Sequence, residues 1–306
     1  MFRKLYNQAV ITGTLVPDGP ILIVQGGGVP DPVAADLSFV RSRRGGVDTV
    51  YLPGSSLKGV LRAHAERLLA TEAGEAAAEN PFEFKAPNRQ RAREQRKENT
   101  PGVYRLSCAA DRLFGSTEIA GRFRIGDAYP DETAVEAANR TEIRYGVAIS
   151  RAKQSVQVGP FEQEAVTGGS FQLHATLENF ELWMLCLLLQ AFEDLNSGFV
   201  QIGHAKSRGF GSVKVSSPKL QLRWPGRAPE RLEGAGARER DERLRLAYGL
   251  REDDIADLPE QPAVQEDGLF GGYDFCGPAI KQVRVCCGER WQAFVHQQRT
   301  EGGHGL

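Results

Sequence analysis

The sequence predicts an α+β fold, a ferredoxin-like sheet with helices on one face. Three observations point to it: two amphipathic helical stripes, the strand-like runs that flank each of them, and the turn formers that separate one from the next. Residues 8–16 (QAVITGTLV) read as the first strand, β-branched and apolar, closed by Pro17, Asp18, Gly19 and Pro20. A short apolar run, Ile21 to Val24, leads into the glycines Gly26 to Gly28. From Leu57, the positions Leu57, Val60, Leu61, Ala65, Leu68 and Leu69 recur at helical spacing, with Ser55 or Ser56 placed to cap the start. Residues 74–103 lose this periodicity and read as an insertion, in which Lys85, Arg89, Arg91, Arg93, Arg96 and Lys97 face only Glu94.

A strand-like piece follows at Arg122 to Ile125, and residues 170–177 (SFQLHATL) alternate as a half-buried strand should. Asn179 is placed to cap a second helix, marked by Phe180, Trp183, Met184, Leu187, Leu188, Ala191, Phe192 and Leu195. A strand over Phe199 to Ile202, the loop GHAKSRGFG and a strand from Ser212 to Val215, resuming at Leu220 to Trp224, complete the order strand, helix, strands, helix, strand. That order suits the sheet platform of many RNA-binding modules. Residues 1–225 are therefore read as the main domain. Residues 226–306, charged and rich in Pro and Gly to about 268, are read as a C-terminal extension whose last part returns a strand or two.

The 306 residues, 41% hydrophobic and 25% charged, suffice to bury a core. Lys and Arg number 38 against 39 Asp and Glu, a formal net charge of -1, so any polyanion site has to come from local clustering. The N-terminus lacks an unbroken apolar stretch and the most apolar later run is interrupted by Glu193, Asp194 and Asn196, so a cytoplasmic protein without a membrane span is expected. The five cysteines have no disulfide-framework spacing and are expected to be reduced. Cys276, Cys286 and Cys287 carry metal-capable sulfurs, but their spacing fits no standard zinc set, and a structural zinc is not expected. Cys108 and Cys186 read as structural, and His64 as a residue at the edge of the core.

Two glycine-punctuated segments carry chemistry. In Leu52-Pro53-Gly54-Ser55-Ser56-Leu57-Lys58-Gly59 a tight turn leads into a helix, whose first N–H groups and positive dipole end, with the Ser hydroxyls and Lys58, suit a phosphate. It lacks the glycine spacing and the Gly-Lys-Ser/Thr ending of a nucleotide-hydrolysing loop. The plain alternative is that Gly54 turns, Ser55 and Ser56 cap, and Lys58 is solvated. In Gly203-His204-Ala205-Lys206-Ser207-Arg208-Gly209-Phe210-Gly211, the glycines let backbone approach a polyanion, Lys206 and Arg208 supply charge, and Phe210 is placed to stack on a base. The plain alternative there is a hairpin with a basic tip.

In this order, and with Leu113-Phe114-Gly115-Ser116 between them, the two segments resemble the RAMP superfamily, the ferredoxin-fold RNA-binding proteins of CRISPR systems. The closest likeness is to the backbone subunits of type III effector complexes, over about residues 8–215. The resemblance implies an antiviral ribonucleoprotein, with guide RNA, target RNA, other effector subunits and copies of the chain itself as partners. It implies RNA contacts from Gly54, Ser55, Ser56, Lys58 and Arg62, from Gly203, His204, Lys206, Ser207, Arg208, Gly209, Phe210 and Gly211, and from a protruding thumb at residues 147–162. In that thumb Arg151 and Lys153 are placed to hold phosphate, and Val156 and Val158 to pry bases apart.

The resemblance further implies an endoribonuclease acting within the complex, through an Asp between the first strand and the Pro53 turn. Of Asp31, Asp36 and Asp48, Asp36 fits that pattern best and Asp31 next. Its cleavage is attack of a ribose 2'-OH on its own phosphodiester, assisted by the carboxylate as base or through a divalent cation, Mg²⁺, that keeps most of its waters. A purely structural backbone subunit, a guide-processing endoribonuclease of the same superfamily and a small-molecule phosphate-binding enzyme are the competing readings.

Overall fold

The computed structural model describes residues 3–26, 35–80, 83, 87–95, 100–150, 152–259, 262–266 and 268–302. In chain order the elements are β1 (Gln8–Pro17), β2 (Arg41–Arg44), β3 (Val47–Val50), α1 (Gly54–Ala73), α2 (Pro87–Gln95), α3 (Thr100–Leu106), α4 (Ala109–Phe114), β4 (Phe123–Ile125), α5 (Val135–Asn139), β5 (Thr141–Ile149), β6 (Val156–Val166) and β7 (Phe171–Glu178). There follow α6 (Leu182–Asn196), β8 (Val213–Pro225), β9 (Leu232–Glu233), α7 (Ala235–Arg238), α8 (Glu242–Tyr248), β10 (Ile255–Ala256), β11 (Ala263–Glu266), β12 (Phe270–Cys276), α9 (Pro278–Cys286) and α10 (Gly288–Gly302).

The main sheet is antiparallel throughout, in the order β11-β12-β8-β1-β7-β4. β1 runs through it because its alternating residues Ala9, Ile11 and Leu15 are buried while their neighbours stay half-exposed. Its pairing with β8 slips between Thr12 and Thr14, where Gly13 approaches so closely that an added Cβ would lie 3.1 Å from the Ser216 carbonyl oxygen. α1 links β1's side of the sheet to β4, and α6 links β7 to β8. Leu57 and Leu61 of α1, Phe192 and Leu195 of α6, and Leu15, Ile125 and Leu173 of the sheet line one small apolar cavity between these layers.

The expected alternation at residues 170–177 is realised in β7, where Phe171, Leu173, Ala175 and Leu177 are buried. The breadth of α6's apolar face has a cause beyond the sheet. Its outer side is covered by the C-terminal helices, with Trp183 stacked on Phe294 of α10 at 4.1 Å between ring centroids and 7° between planes. Residues 226–302 are thus structured around the same core, β12 adding a strand beside β8 and β11 forming the sheet's edge. The stretch 74–103 contains α2 and the start of α3; Glu79 accepts from the Asn88 and Arg89 N–H groups at the start of α2.

Three local expectations are corrected. Pro53, and neither serine, is the N-cap of α1, and α6 is capped at Glu181. Asn179 instead sits at φ 52° with its side chain accepting from the Tyr6 N–H and donating to the Lys4 carbonyl, which fastens the start of β1 to the end of β7. No strand forms over Phe199 to Ile202, because left-handed Gly198 and Gly203 turn the chain at both ends and Val200 bonds back to Asp194. His64 is three-quarters or more buried, with Nε2 2.6 Å from Asp194 of α6, so it couples the two main helices.

Candidate nucleic-acid interface

The entrance to α1 is built against the loop after β4. Leu52 and Ala128 exchange two backbone hydrogen bonds of 2.9 Å, and Gly54 is needed because an added Cβ would fall 2.6 Å from the Ile125 carbonyl oxygen. The Gly54 N–H donates to Asp127 Oδ1 at 2.8 Å. Ser55 is exposed, Ser56 and Lys58 half-exposed. Burial, and next the positive charges of Arg62 and Arg124, hold the Lys58 ammonium below its ordinary pKa. Arg62 is engaged within the fold. Its guanidinium bonds Glu66 at 2.8 Å, Asp111 at 2.7 Å and the Gly115 carbonyl, tying α1 to α4 and to the Leu113–Ser116 turn.

The loop 203–211 is packed along residues 20–22. His204 N–H donates to the Leu22 carbonyl at 2.7 Å, Gly211 N–H to the Pro20 carbonyl at 2.8 Å, and Ile202 N–H to the Gly211 carbonyl at 2.9 Å. Gly203 (φ +75°) and Gly211 (φ +90°) serve this packing, since a Cβ would lie 2.2 Å from the Leu22 oxygen or 2.1 Å from the Ile202 oxygen. Between them a single 3₁₀ turn, Lys206–Arg208, presents exposed His204, Lys206, Ser207, Arg208 and Gly209. The Lys206 ammonium is lowered by burial and by Arg67. Phe210 is the correction here: at 6% exposure it belongs to the core, and its ring is not presented to a base.

Asp36 lies at the root of the β5–β6 hairpin. Its exposed carboxylate accepts the Glu162 N–H through Oδ2 at 2.9 Å, while Leu37 exchanges backbone hydrogen bonds of 3.0 Å with Glu162 and Glu164. Glu164 is the anchor of this segment. It accepts from both terminal nitrogens of Arg41, from the Phe39 N–H at 2.9 Å and from the Thr141 hydroxyl at 2.7 Å. Burial alone would raise its pKa, but the Arg41 bond, then the Phe39 N–H and Thr141, bring it down to about 2. The glycine loop reaches the same root: Arg208 lies 5.8 Å over the Phe161 ring, and Arg144 of β5 5.8 Å over Phe210.

The hairpin spans Thr141–Val166 rather than 147–162 alone, and it carries an apolar row into solvent, with Ile143, Tyr145, Val147, Ile149 and Val156 all exposed. Lys153 is exposed at its tip. Asp31, Arg151, Lys85, Arg96 and Lys97 lie outside the described residues, as does the side chain of Val158. Asp48 is exposed on β3 opposite Arg43. Of the cysteines, Cys276 ends β12 while Cys286 and buried Cys287 end α9; among the described residues no three His, Cys, Asp or Glu side chains group as a metal site. Asp36 supplies one exposed carboxylate, the kind of oxygen donor that a hydrated Mg²⁺ takes.

Sequence reasoning passed over Arg41, Arg43, Arg44, Tyr51 and Tyr129. Arg41–Arg44 forms a hairpin with Val47–Val50 around Gly45 and Gly46, both with positive φ, a signal that Gly-Gly between β-prone residues carries. Tyr51 and Tyr129 stack at 5.2 Å and 11°, with Arg44 4.5 Å over Tyr129. No helix among the described residues is long and apolar enough to cross a membrane. A family model described as the RAMP superfamily matches residues 26–214. No curated protein matches the chain.

Proposed function

The chain belongs to the RAMP superfamily of CRISPR-associated RNA-binding proteins, and on that premise we propose that it is a backbone subunit of a type III effector complex, holding guide RNA and cutting paired target RNA at Asp36. The observation that carries this reading is the convergence at one hairpin root of an exposed carboxylate, Asp36, an arginine-bearing glycine loop, Arg208, and a protruding apolar row. The strand order β8-β1-β7-β4, with α1 and α6 as the crossovers, supports a ferredoxin-like core behind it.

In this reading Lys58, Lys206, Ser207 and Arg208 grip guide backbone, and the exposed residues of β5 and β6 enter between base pairs. Asp36 acts on the target 2'-OH, whose oxygen attacks the adjacent phosphorus and expels the 5'-oxygen, leaving a 2',3'-cyclic phosphate and a 5'-OH. A hydrated Mg²⁺, if bound, would be held by the Asp36 carboxylate and would supply positive charge against the phosphate being cleaved. The bond from the Glu162 N–H fixes the position of one Asp36 oxygen.

That same bond favours a second reading, in which Asp36 only staples the loop to the hairpin and the subunit is structural. The two are separated by purifying the complex from its host, sequencing the bound RNA and incubating with complementary RNA and Mg²⁺. A regularly spaced ladder that disappears in Asp36→Ala, with RNA still bound, is the expected result; a ladder that survives in the variant overturns catalysis by Asp36, and binding without cuts leaves the structural subunit.

A further inference from the structure

The β2–β3 hairpin is held stiffly for so exposed an element. At its base Arg41 is clamped by Glu164, the Val50 N–H donates to Asn139 Oδ1 at 3.0 Å, and Asn139 Nδ2 donates to the Asp48 carbonyl at 3.3 Å. Ser42 is within 3.4 Å of the Tyr129 hydroxyl. The result is a ladder that crosses from the hairpin to the loop after β4: Arg44, then Tyr129, then Tyr51, with Arg44 4.5 Å above the Tyr129 centroid and the two rings 5.2 Å apart and 11° from parallel.

Arg44 is exposed and both tyrosines are half-exposed, so the ladder is more covered at the tyrosines and open at the guanidinium. A planar cation fixed over an aromatic ring has already lost much of its side-chain freedom, and its outer face offers a flat π surface with charge. Single-stranded nucleic acid is recognised by such surfaces, through bases stacked on aromatic rings or on arginine planes. Exposed Arg43, whose Nε bonds the Gly46 carbonyl at 3.3 Å, stands next in the strand on its other face and leaves the Arg44 face to the guanidinium alone.

We propose that the Arg44–Tyr129–Tyr51 ladder is a base-stacking site, at which one unpaired nucleobase of bound RNA lies on the outer face of Arg44. The site uses none of the residues that hold Asp36 and reads no particular base, since every base presents a π face. It rests on the RNA-binding reading given above.

The decisive substitution is Arg44→Lys, which keeps the charge and removes the plane at an exposed position, with folding checked by the Tm of the variant. Affinity of the full chain for a 12-nucleotide single-stranded RNA, with 2-aminopurine placed at each position in turn, is measured across a salt series. The expected outcome is a loss of about 5- to 150-fold in affinity, the range of one base–aromatic stack, with the salt slope unchanged. Quenching of 2-aminopurine in one register disappears with it. Arg44→Ala is expected to weaken binding at least as far and to reduce the salt slope by about one. Wild-type binding with Arg44→Lys within twofold of it, and quenching retained, overturns the stacking site alone, because charge then accounts for the contact. A wild-type chain that binds no RNA overturns the parent reading and the stacking site with it.

Discussion

Glu164 concentrates more of the site's order than any residue that touches solvent there. Its carboxylate joins Arg41, the Phe39 N–H and Thr141, and so fixes the segment that bears Asp36. Glu164→Ala leaves Arg41 and a buried N–H without their acceptor and is expected to destabilise the chain by about 2–3 kcal/mol in urea unfolding. The sign with pH follows from its depressed pKa: the contribution is complete above the ordinary value of 4.5 and is lost as pH falls through about 2, so the wild-type advantage over the variant should shrink across that window. The glycines separate cleanly as well. Gly211→Ala meets the Ile202 oxygen at 2.1 Å and a positive φ, and is expected to cost roughly 3 kcal/mol or more; Gly209→Ala, with open space and only φ +83° against it, roughly 1 kcal/mol. None of this is visible in the string GHAKSRGFG, where every glycine looks alike; what distinguishes Gly203 and Gly211 is the carbonyl opposite each, contributed by residues far away in sequence or across the loop's neck.

Among elements, α6 shows what periodicity conveys and what it omits. Its apolar breadth announced deep burial, but only the packing of α9 and α10 explains why Trp183 and Cys186, on its outer side, are buried too. The charge at its start was also out of reach. Asp254, from the strand-like turn before β10, accepts the Leu182 N–H at 3.1 Å with its carboxyl wholly enclosed, so burial and then Glu181 push its pKa up to about 8. A carboxyl raised in the folded state stabilises where it is protonated, and stability should therefore fall as pH climbs from about 4 to about 8. Asp254→Asn keeps the acceptor, removes the ionisation, and is expected to flatten that decline in Tm measured from pH 5 to 9. β2–β3 was missed for a different reason: four residues per strand and a run of arginines carry too little apolar alternation, and only Gly45-Gly46 marked the turn.

For the whole molecule, the α+β class was legible because long, strongly patterned segments, β1, α1, β7 and α6, stand out in the sequence, and the structure builds them into a large antiparallel sheet with helices. Of residues 226–306 only a returning strand was legible, since β12 owes its place to β8, and α9 and α10 theirs to the outer side of α6. A chain ending at Pro225 would bare the β8 edge and the Trp183 face together, and is expected to accumulate as aggregate where the full chain is recovered monodisperse by size exclusion. Unchanged solubility would show that residues 226–306 are dispensable to the fold. One further consequence belongs to the first turn of α1. Asp127 already sits on the Gly54 N–H, so the molecule carries there its own imitation of a phosphate. A guide phosphate held there by Lys58 lies beside a like charge, with the Gly54 N–H already taken. The turn thus selects against stray anions, and Asp127→Asn should tighten RNA binding most at low ionic strength, where that repulsion is least screened.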